Sequence, residues 1–329
     1  MFKRMMLVDT APTKGRGHKT VNFGFQIVKD RCGADACTWI DTLVDIERYD
    51  TVAFNVFYAM NLLNIYPFLK KNGILPGSDL RKTIKVIAGG QGINKNGVLD
   101  SLVDEVFYGE IDAEENTDGV FSAPVFARDY AVLEIQRGCR YRCKFCQYGN
   151  DRGGRYREKP VELAKEQIDE MVQRGIHQVN FLSVNLGGYA GIGSLIEHCE
   201  KKNVRIRSAD TTILDFHNLK DYMHLLPKAW RFGVETFDEA TRKRIGKGFS
   251  DETLFSTLDF LLSKVNLLHI YLIYGLPGDD YSEWIRWTKV VGDLITSNPK
   301  TSMDLYGDSF ISNQIRVDFS VSTFEPEEG

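Results

Sequence analysis

No run of the chain approaches the roughly 18–20 consecutive apolar residues that a membrane-spanning helix needs. Its start, Met1 to Asp9, carries the basic pair Lys3-Arg4 but no apolar stretch long enough for a secretory signal. Membrane and secreted classes are therefore excluded, and a cytoplasmic protein is expected. An excess of one charge is lacking too. Lys and Arg number 41 against 45 Asp and Glu, a net charge of −4, which argues against a protein that coats nucleic acid. Low-complexity tracts and internal repeats are absent. Cysteine is sparse, with six in 329 residues, and in a cytoplasmic chain of this size no disulfide framework is expected. What is present is ordinary for a globular protein. With 43% hydrophobic residues, the chain can bury one large core or two smaller ones without metal or disulfide staples.

Strand and helix signals alternate along the first hundred or so residues. Met5 to Asp9, Ala36 to Ile40, Val52 to Val56, Ile84 to Ala88 and Val103 to Tyr108 read as strands. Val21 to Val28 and Asn61 to Lys71 read as helices, with Pro67 set to kink or shorten the second. Strands alternating with helices imply a parallel sheet covered on both faces. Residues 1–115 are thus expected to form a doubly wound, Rossmann-like domain. The acidic, turn-rich stretch Asp112 to Gly119 opens a linker over 116–127. Residues 128–329 then show six strand signals: Ala131 to Gln136, Gln178 to Ser183, Val204 to Ser208, Arg231 to Glu235, Leu268 to Tyr274 and Arg316 to Ser322. Helices are expected at Val161 to Arg174, Asp238 to Ile245, Asp251 to Lys264 and Ser282 to Ser297. The pattern predicts a partial (β/α)6 barrel, which would build its site at the C-terminal ends of its strands.

Three cysteines, Cys32, Cys37 and Cys199, stand alone and read as small buried hydrophobes or inert thiols. The other three, Cys139, Cys143 and Cys146, follow the first strand of the second domain on the loop where a parallel barrel places its chemistry. Three thiolates on a short loop can take three corners of one iron–sulfur cubane. A closed zinc site would need a fourth ligand from afar, such as His177, His198 or Cys199.

The C-x3-C-x2-C spacing, with an aromatic just before the third cysteine, resembles the radical S-adenosylmethionine (radical SAM) superfamily. Later segments are similar to that family in order. They are Phe232-Gly233-Val234-Glu235-Thr236, then Thr241 to Gly248, then Ile273-Tyr274-Gly275-Leu276-Pro277-Gly278, and finally Ser320 to Pro326. The resemblance implies that Cys139, Cys143 and Cys146 hold a 4Fe-4S cluster, leaving one iron for the amino and carboxylate groups of S-adenosyl-L-methionine. It further implies a 5′-deoxyadenosyl radical, a one-electron reductant of flavodoxin or ferredoxin type, and four cofactor-binding residues. Phe145 would lie near the adenine, and Glu235 would reach the ribose or the methionine amine. Gly275 and Gly278 would let the backbone approach the adenosine. The family's second-strand Gly-Gly-Glu is only half present, since Gly187-Gly188 is followed by Tyr189.

The first domain resembles the cobalamin-binding module found ahead of many radical enzymes, through Val52 to Phe57, Val86 to Gly90 and Val103 to Glu110. Its Asp-x-His-x-x-Gly signature for a cobalt-ligating histidine is missing. His18 follows Gly15-Arg16-Gly17 outside that pattern, so cobalamin remains open in this branch. The stretch Arg137 to Lys159 contains eight Lys and Arg residues against Asp151 and Glu158. It reads as a basic loop, either balancing an anionic cluster or receiving a phosphate-bearing substrate. The expectation drawn from all this is hydrogen abstraction from an unactivated carbon followed by rearrangement. That isomerase would act on a small-molecule or nucleobase-linked substrate, such as a modified thymine in phage DNA. A cobalamin-dependent radical SAM methyltransferase is the first alternative, and a non-catalytic iron–sulfur or cofactor-binding module the alternative of a different class.

Overall fold

The computed structural model describes residues 4–11, 23–57, 59–90, 92–93, 97, 99–114, 116, 118–146, 155–297 and 316–323. The chain divides into two compact units, Met1–Thr117 and Asp118–Gly329.

In the first unit, β1 (Met5–Asp9), α1 (Phe23–Cys32), β2 (Ala36–Trp39), β3 (Thr51–Asn55), α2 (Ile65–Lys71), β4 (Lys85–Gly89) and β5 (Glu105–Phe107) follow in order. The sheet is parallel throughout, in the order β2-β1-β3-β4-β5. Every residue of β3 is buried, as expected of a central strand covered on both faces. The helix expected from Val21 begins, within the described residues, at Phe23 and runs on to Cys32. Lys29 and Arg31 in its last turn complement the helix dipole, and Gly33 at φ +60° ends it. Asn61 to Lys71 divides into a 3-10 turn over Ala59–Asn64 and α2. Pro67 falls in the first turn of α2, where a missing N–H costs nothing. A reversal of strand order occurs beside β1, where β2 lies on one side and β3 on the other. Doubly wound sheets bind ligands at the carboxyl ends of strands flanking such a point.

The second unit opens with β6 (Val125–Phe126), β7 (Ala131–Glu134), β8 (Gln136–Arg137) and β9 (Arg157–Glu158). Of the stretch expected as a linker, 116–127, residues 118–127 belong to this unit. Val120 is buried, and Val125–Phe126 pairs antiparallel with β7. Then come α3 (Val161–Gln173), β10 (Gln178–Leu182), α4 (Ile192–Lys201), β11 (Arg205–Ile206), β12 (Ala229–Glu235), α5 (Glu239–Arg244), α6 (Asp251–Leu262), β13 (Leu267–Tyr274), α7 (Tyr281–Ser297) and β14 (Arg316–Thr323). Two parallel runs, β7-β10-β11 and β12-β13-β14, are joined by a bridge between Asp210 and Arg231. Six parallel strands in sequence order make the partial (β/α) barrel that the sequence predicts.

One core fills the space between these strands and their helices. Trp230, Phe232 and Val234 of β12 and Leu268, Ile270 and Leu272 of β13 belong to it. The alternation leaves Arg231, Gly233, His269 and Tyr271 on the opposite face. Helix α4 is an element that sequence reasoning did not name. Its buried Ile192, Leu195, Ile196 and Cys199 recur at helical spacing, but Gly191 and Gly193 obscure its start. A Cβ on Gly193 would stand 2.6 Å from the Tyr222 hydroxyl, so any larger residue there would displace that ring.

Candidate functional site

The cysteine loop connects the two strands of a short hairpin. β8 runs out of the barrel strand and pairs antiparallel with β9, Gln136 facing Glu158 and Arg137 facing Arg157. Gly138 starts the loop at φ +78°, a conformation that glycine adopts without steric cost. The Cys146 N–H donates to the Cys143 carbonyl at 2.9 Å, and the Lys144 N–H to the Ile245 carbonyl at 2.9 Å. The second bond ties the loop to the end of α5. Gly246 follows at φ +88°, and a Cβ there would stand 3.2 Å from the Arg142 carbonyl oxygen and 3.4 Å from Cys143 Cα. The segment after α5 therefore lies flat against the cysteines only because residue 246 lacks a side chain.

Burial pushes up the Cys139 and Cys143 thiols. The Lys247 ammonium opposes this at both, and the Tyr141 N–H and Arg140 also oppose it at Cys139. Tyr141, between the first two cysteines, donates to an Asp215 carboxylate oxygen at 2.7 Å. Asn185 Nδ2 and Thr212 Oγ1 donate to the same oxygen at 2.6 and 3.0 Å. Burial pushes Asp215 up, but these bonds and Arg140 outweigh it and hold the carboxyl below its ordinary range. The Tyr141 hydroxyl is pushed up to about 12 by burial and by its bond to Asp215. This brace joins the cysteine loop to the segments after β10 and β11. Sequence reasoning missed it because Tyr141 and Asn185 lie 74 and 30 residues from Asp215 and share no motif with it.

Glu235 ends β12 with φ +68°, an uncommon conformation for a residue with a Cβ. A register shift between Gly233 and Glu235 marks a bulge, and bulges re-aim side chains next to sites. Here the carboxylate turns back over the strand, where a Cβ on Gly233 would collide with Glu235 Oε1 and stand 3.0 Å from Lys247 Nζ. Lys247 Nζ lies 3.0 Å from Glu235 Oε1 and donates to the Gly233 carbonyl at 3.0 Å. Its ammonium stands 5.9 Å from the ring centroid of half-buried Phe145. Cys139, Cys143, Cys146, Phe145 and Glu235 thus gather around the segment that carries Lys247, a residue with no individual role legible in the sequence.

Gly275 (φ +92°) and Gly278 (φ +70°) follow β13 and are exposed. The Gly275 N–H donates to the Tyr281 hydroxyl at 3.1 Å. Gly278 lies against the Arg244 guanidinium, 3.1 Å from where its Cβ would be, and Arg244 donates to the Pro277 carbonyl at 2.5 Å. Helix α5 and its following loop therefore touch both the cysteine loop and the end of β13.

Several expectations change. The stretch from Arg137 to Lys159 is not a uniformly basic loop. Arg137 pairs with buried Glu134 at 2.6 Å, Arg157 is buried, and Lys159 is buried with its ammonium on the Ser122 carbonyl at 2.6 Å. Arg140, Arg142, Lys144 and Arg155 remain exposed, while Arg152 lies outside the described residues. Tyr189 does not stand in for the missing family acid. It is buried, and its hydroxyl donates to the Lys159 carbonyl at 2.7 Å. As zinc ligands from afar, His198 and Cys199 fail, because Asp169 holds His198 at 2.9 Å and Cys199 sits in the core. Among the described residues, no three His, Cys, Asp or Glu side chains converge as a single ion requires. A cubane offers each thiolate a different iron, so the donor set of this loop fits a 4Fe-4S cluster better than one metal ion.

On the barrel face turned away from the helices, Arg231, His269 and Asp318 stand at one level on β12, β13 and β14. Arg231 lies 3.8 Å from Asp210, His269 Nδ1 lies 3.9 Å from Asp318, and His269 Nε2 is 2.8 Å from Ser320 Oγ. Across the bulge this polar row lies three residues of β13 before the partner of Glu235, about 10 Å along the sheet. In the first unit, Asp9, Thr10 and Asn55 are buried at the carboxyl ends of β1 and β3. At the end of β4, Gly89 is followed by Gly90, whose Cβ would collide with the Val56 carbonyl. This unit's histidine, His18, and the loop 12–17 lie outside the described residues, as does 324–329 at the end of the chain. Among the described residues no helix is long and apolar enough to cross a membrane.

Residues 133–290 match the model of the Radical SAM superfamily. The threonylcarbamoyladenosine tRNA methylthiotransferase MtaB of Thermotoga maritima is 25% identical over 177 residues, covering 50% of this chain and 41% of the relative. The ribosomal protein uS12 methylthiotransferase RimO of a Sulfurovum species is 22% identical over 314 residues, 84% of this chain and 68% of that one. The chain thus spans about two fifths of the length of the first of these relatives. Among solved structures, the radical S-adenosylmethionine methyltransferase TsrM of Kitasatospora setae, with cobalamin and a 4Fe-4S cluster bound, superposes with a TM-score of 0.65 at 11% identity. That match covers 98% of this chain and 75% of TsrM. The cobalamin-dependent radical enzyme OxsB, with aqua-cobalamin and S-adenosylmethionine bound, gives 0.57 at 14% identity, covering 89% and 52%. At such identities these two likenesses speak for the fold.

Proposed function

From a chain whose residues 133–290 are a radical SAM domain, we propose a cobalamin-dependent methyltransferase that consumes S-adenosylmethionine at a 4Fe-4S cluster. The observation that carries this reading is the pairing of two features. A doubly wound unit of order β2-β1-β3-β4-β5 precedes a barrel whose first strand leads into the three-cysteine loop. The rearrangement favoured by sequence has no counterpart among the relatives and neighbours named above, which are methylthiotransferases, a methyltransferase and a cobalamin-dependent radical enzyme.

When bound, the cluster and cofactors supply electron transfer and the methyl group, chemistry that no side chain here can perform. The chain's own contribution is positioning. Cys139, Cys143 and Cys146 would hold the cluster, kept in place by the loop's bonds to Ile245 and to the Tyr141–Asp215 brace. Glu235 would accept a hydrogen bond from the methionine amine or the ribose of S-adenosylmethionine, and Phe145 would lie near its adenine. Gly275 and Gly278 would leave the backbone accessible to the adenosine. Cobalamin would lie at the carboxyl edge of the first unit's sheet. The Arg231–His269–Asp318 row offers polar partners to a small-molecule or nucleobase-linked substrate inside the barrel. A low-potential flavodoxin- or ferredoxin-like protein would deliver the electron.

Anaerobic purification from cells supplied with cobalamin tests the reading. A corrin absorption spectrum in the isolated protein supports it. Protein that stays free of corrin yet turns over would overturn it. Methylthio transfer is favoured by the sequence relatives, and a product carrying sulfur, identified by mass spectrometry, would select that second reading.

A further inference from the structure

We propose that Lys247 is a positioning and charge-compensating residue of the cysteine loop, setting how readily the cluster accepts its electron, with Glu235 as its opposing partner. The inference rests on the reading that the three cysteines hold a 4Fe-4S cluster.

The geometry isolates this lysine from the other basic residues nearby. Lys247 is largely buried, as is the Glu235 side chain 3.0 Å away. Its backbone is anchored by a bond from its N–H to the Arg242 carbonyl at 2.8 Å. The residue before it, Gly246, lies in van der Waals contact range of Cys143, whose sulfur is 3.8 Å from the Gly246 carbonyl oxygen. The ammonium is held from two sides, by the Gly233 carbonyl and the Glu235 carboxylate, and stands 5.9 Å from the Phe145 ring centroid, one residue from Cys146. Exposed Arg142 and Lys144 are placed in water, which screens them. A buried cation acts through a lower dielectric and so exerts more of its field on nearby sulfur.

A cluster held by three thiolates is anionic, and net charge and hydrogen bonding set its reduction potential. Reduction adds one electron, taken from a low-potential one-electron donor, and no bond in the protein is broken. A fixed positive charge beside the sulfurs favours the reduced form, while a fixed negative charge disfavours it. Lys247 and Glu235 should therefore push the potential in opposite directions. Binding of S-adenosylmethionine to Glu235 would then also loosen the carboxylate's hold on the ammonium.

The test is an anaerobic redox titration of the reconstituted full chain without S-adenosylmethionine, followed by the electron paramagnetic resonance signal of the reduced cluster. Lys247→Gln should shift the reduction equilibrium about tenfold toward the oxidised form, about 59 mV for a one-electron couple. Glu235→Gln should shift it the other way, and Lys247→Arg should retain the wild-type value. Iron and sulfide content and thermal unfolding would be measured on each variant. Equal potentials in all four proteins, or shifts of the same sign for Lys247→Gln and Glu235→Gln, would overturn the proposal. Wild-type protein that assembles no 4Fe-4S cluster would instead overturn the reading beneath it.

Discussion

The Glu235 carboxylate rests over Gly233, the residue two positions before it on the same strand, and Lys247 closes over both. This relationship explains why the segment carries glycine there without a positive φ. A side chain on residue 233 would occupy the space of the carboxylate. Gly233→Ala should therefore displace two flexible side-chain ends and leave the backbone in place. Thermal unfolding is expected to stay within a few degrees of the wild type. Affinity for S-adenosylmethionine, measured by anaerobic calorimetry, should fall. Unchanged affinity would mean that the carboxylate does not need this position.

Glu235→Gln keeps the shape and removes the charge. A charge-assisted hydrogen bond is worth about 1.5–3 kcal/mol, so the same titration should show a roughly ten- to hundredfold loss of affinity. Iron content should match the wild type, because the cysteines belong to a separate loop. Equal affinity would reduce Glu235 to a partner of Lys247.

Cys143→Ala should lose the cluster and all reductive cleavage of S-adenosylmethionine to 5′-deoxyadenosine, as should the same change at Cys139 or Cys146. Cys199→Ala serves as the control. It sits in the α4 core, so the change should cost stability through a small cavity while leaving iron content intact. Iron lost from that variant would point to a second metal site.

The Tyr141–Asp215 brace predicts a different signature. Asp215→Asn leaves the side-chain shape and one oxygen to accept from the three donors, but removes the charge that strengthens those bonds. Asp215 is held below the ordinary carboxylate range, so its contribution to stability is present above the unfolded-state value and is lost as pH falls through the folded one. Wild-type protein should therefore lose stability over the acid range faster than the variant does. Chemical denaturation at a series of pH values checks this, and parallel curves would count against the brace.

Lys159 is buried beside Glu134 and Arg137, and burial lowers it to about 8. Its folded value lies below the unfolded one, so the unfolded chain binds the extra proton between the two. Stability from this group should then rise as pH increases from about 8 toward 10.5. Lys159→Met should flatten that rise, seen as a melting temperature less dependent on pH over the alkaline range. A variant with the wild-type slope would contradict the assignment.

Much of this architecture is legible in the residues. The six barrel strands stand where apolar alternation and the intervening helices put them, because a strand covered by helices on one face needs apolar residues only at every second position. The three cysteines stand out by their spacing, whereas Phe145, Glu235, Gly275 and Gly278 are picked out only by the resemblance to the family. Less visible was anything that depends on tertiary contact. Lys247 is one of several basic residues in Thr241 to Gly248, and only the turn at Gly246 brings it inward. Arg137 and Lys159 read as part of a basic loop until the hairpin of β8 and β9 folds them against Glu134 and Ser122. Val125–Phe126 reads as linker because two residues carry too little periodicity to announce a strand.

The most direct measurement is the fate of S-adenosylmethionine in the reconstituted protein, reduced by a low-potential donor and supplied with cobalamin. Chromatography with mass spectrometry would follow its products. The account predicts that S-adenosylmethionine is consumed, that S-adenosylhomocysteine appears as the mark of methyl donation, and that 5′-deoxyadenosine appears as the mark of cluster chemistry and depends on Cys139, Cys143 and Cys146. S-adenosylmethionine recovered intact from protein with a full, reducible 4Fe-4S cluster and bound cobalamin would contradict it.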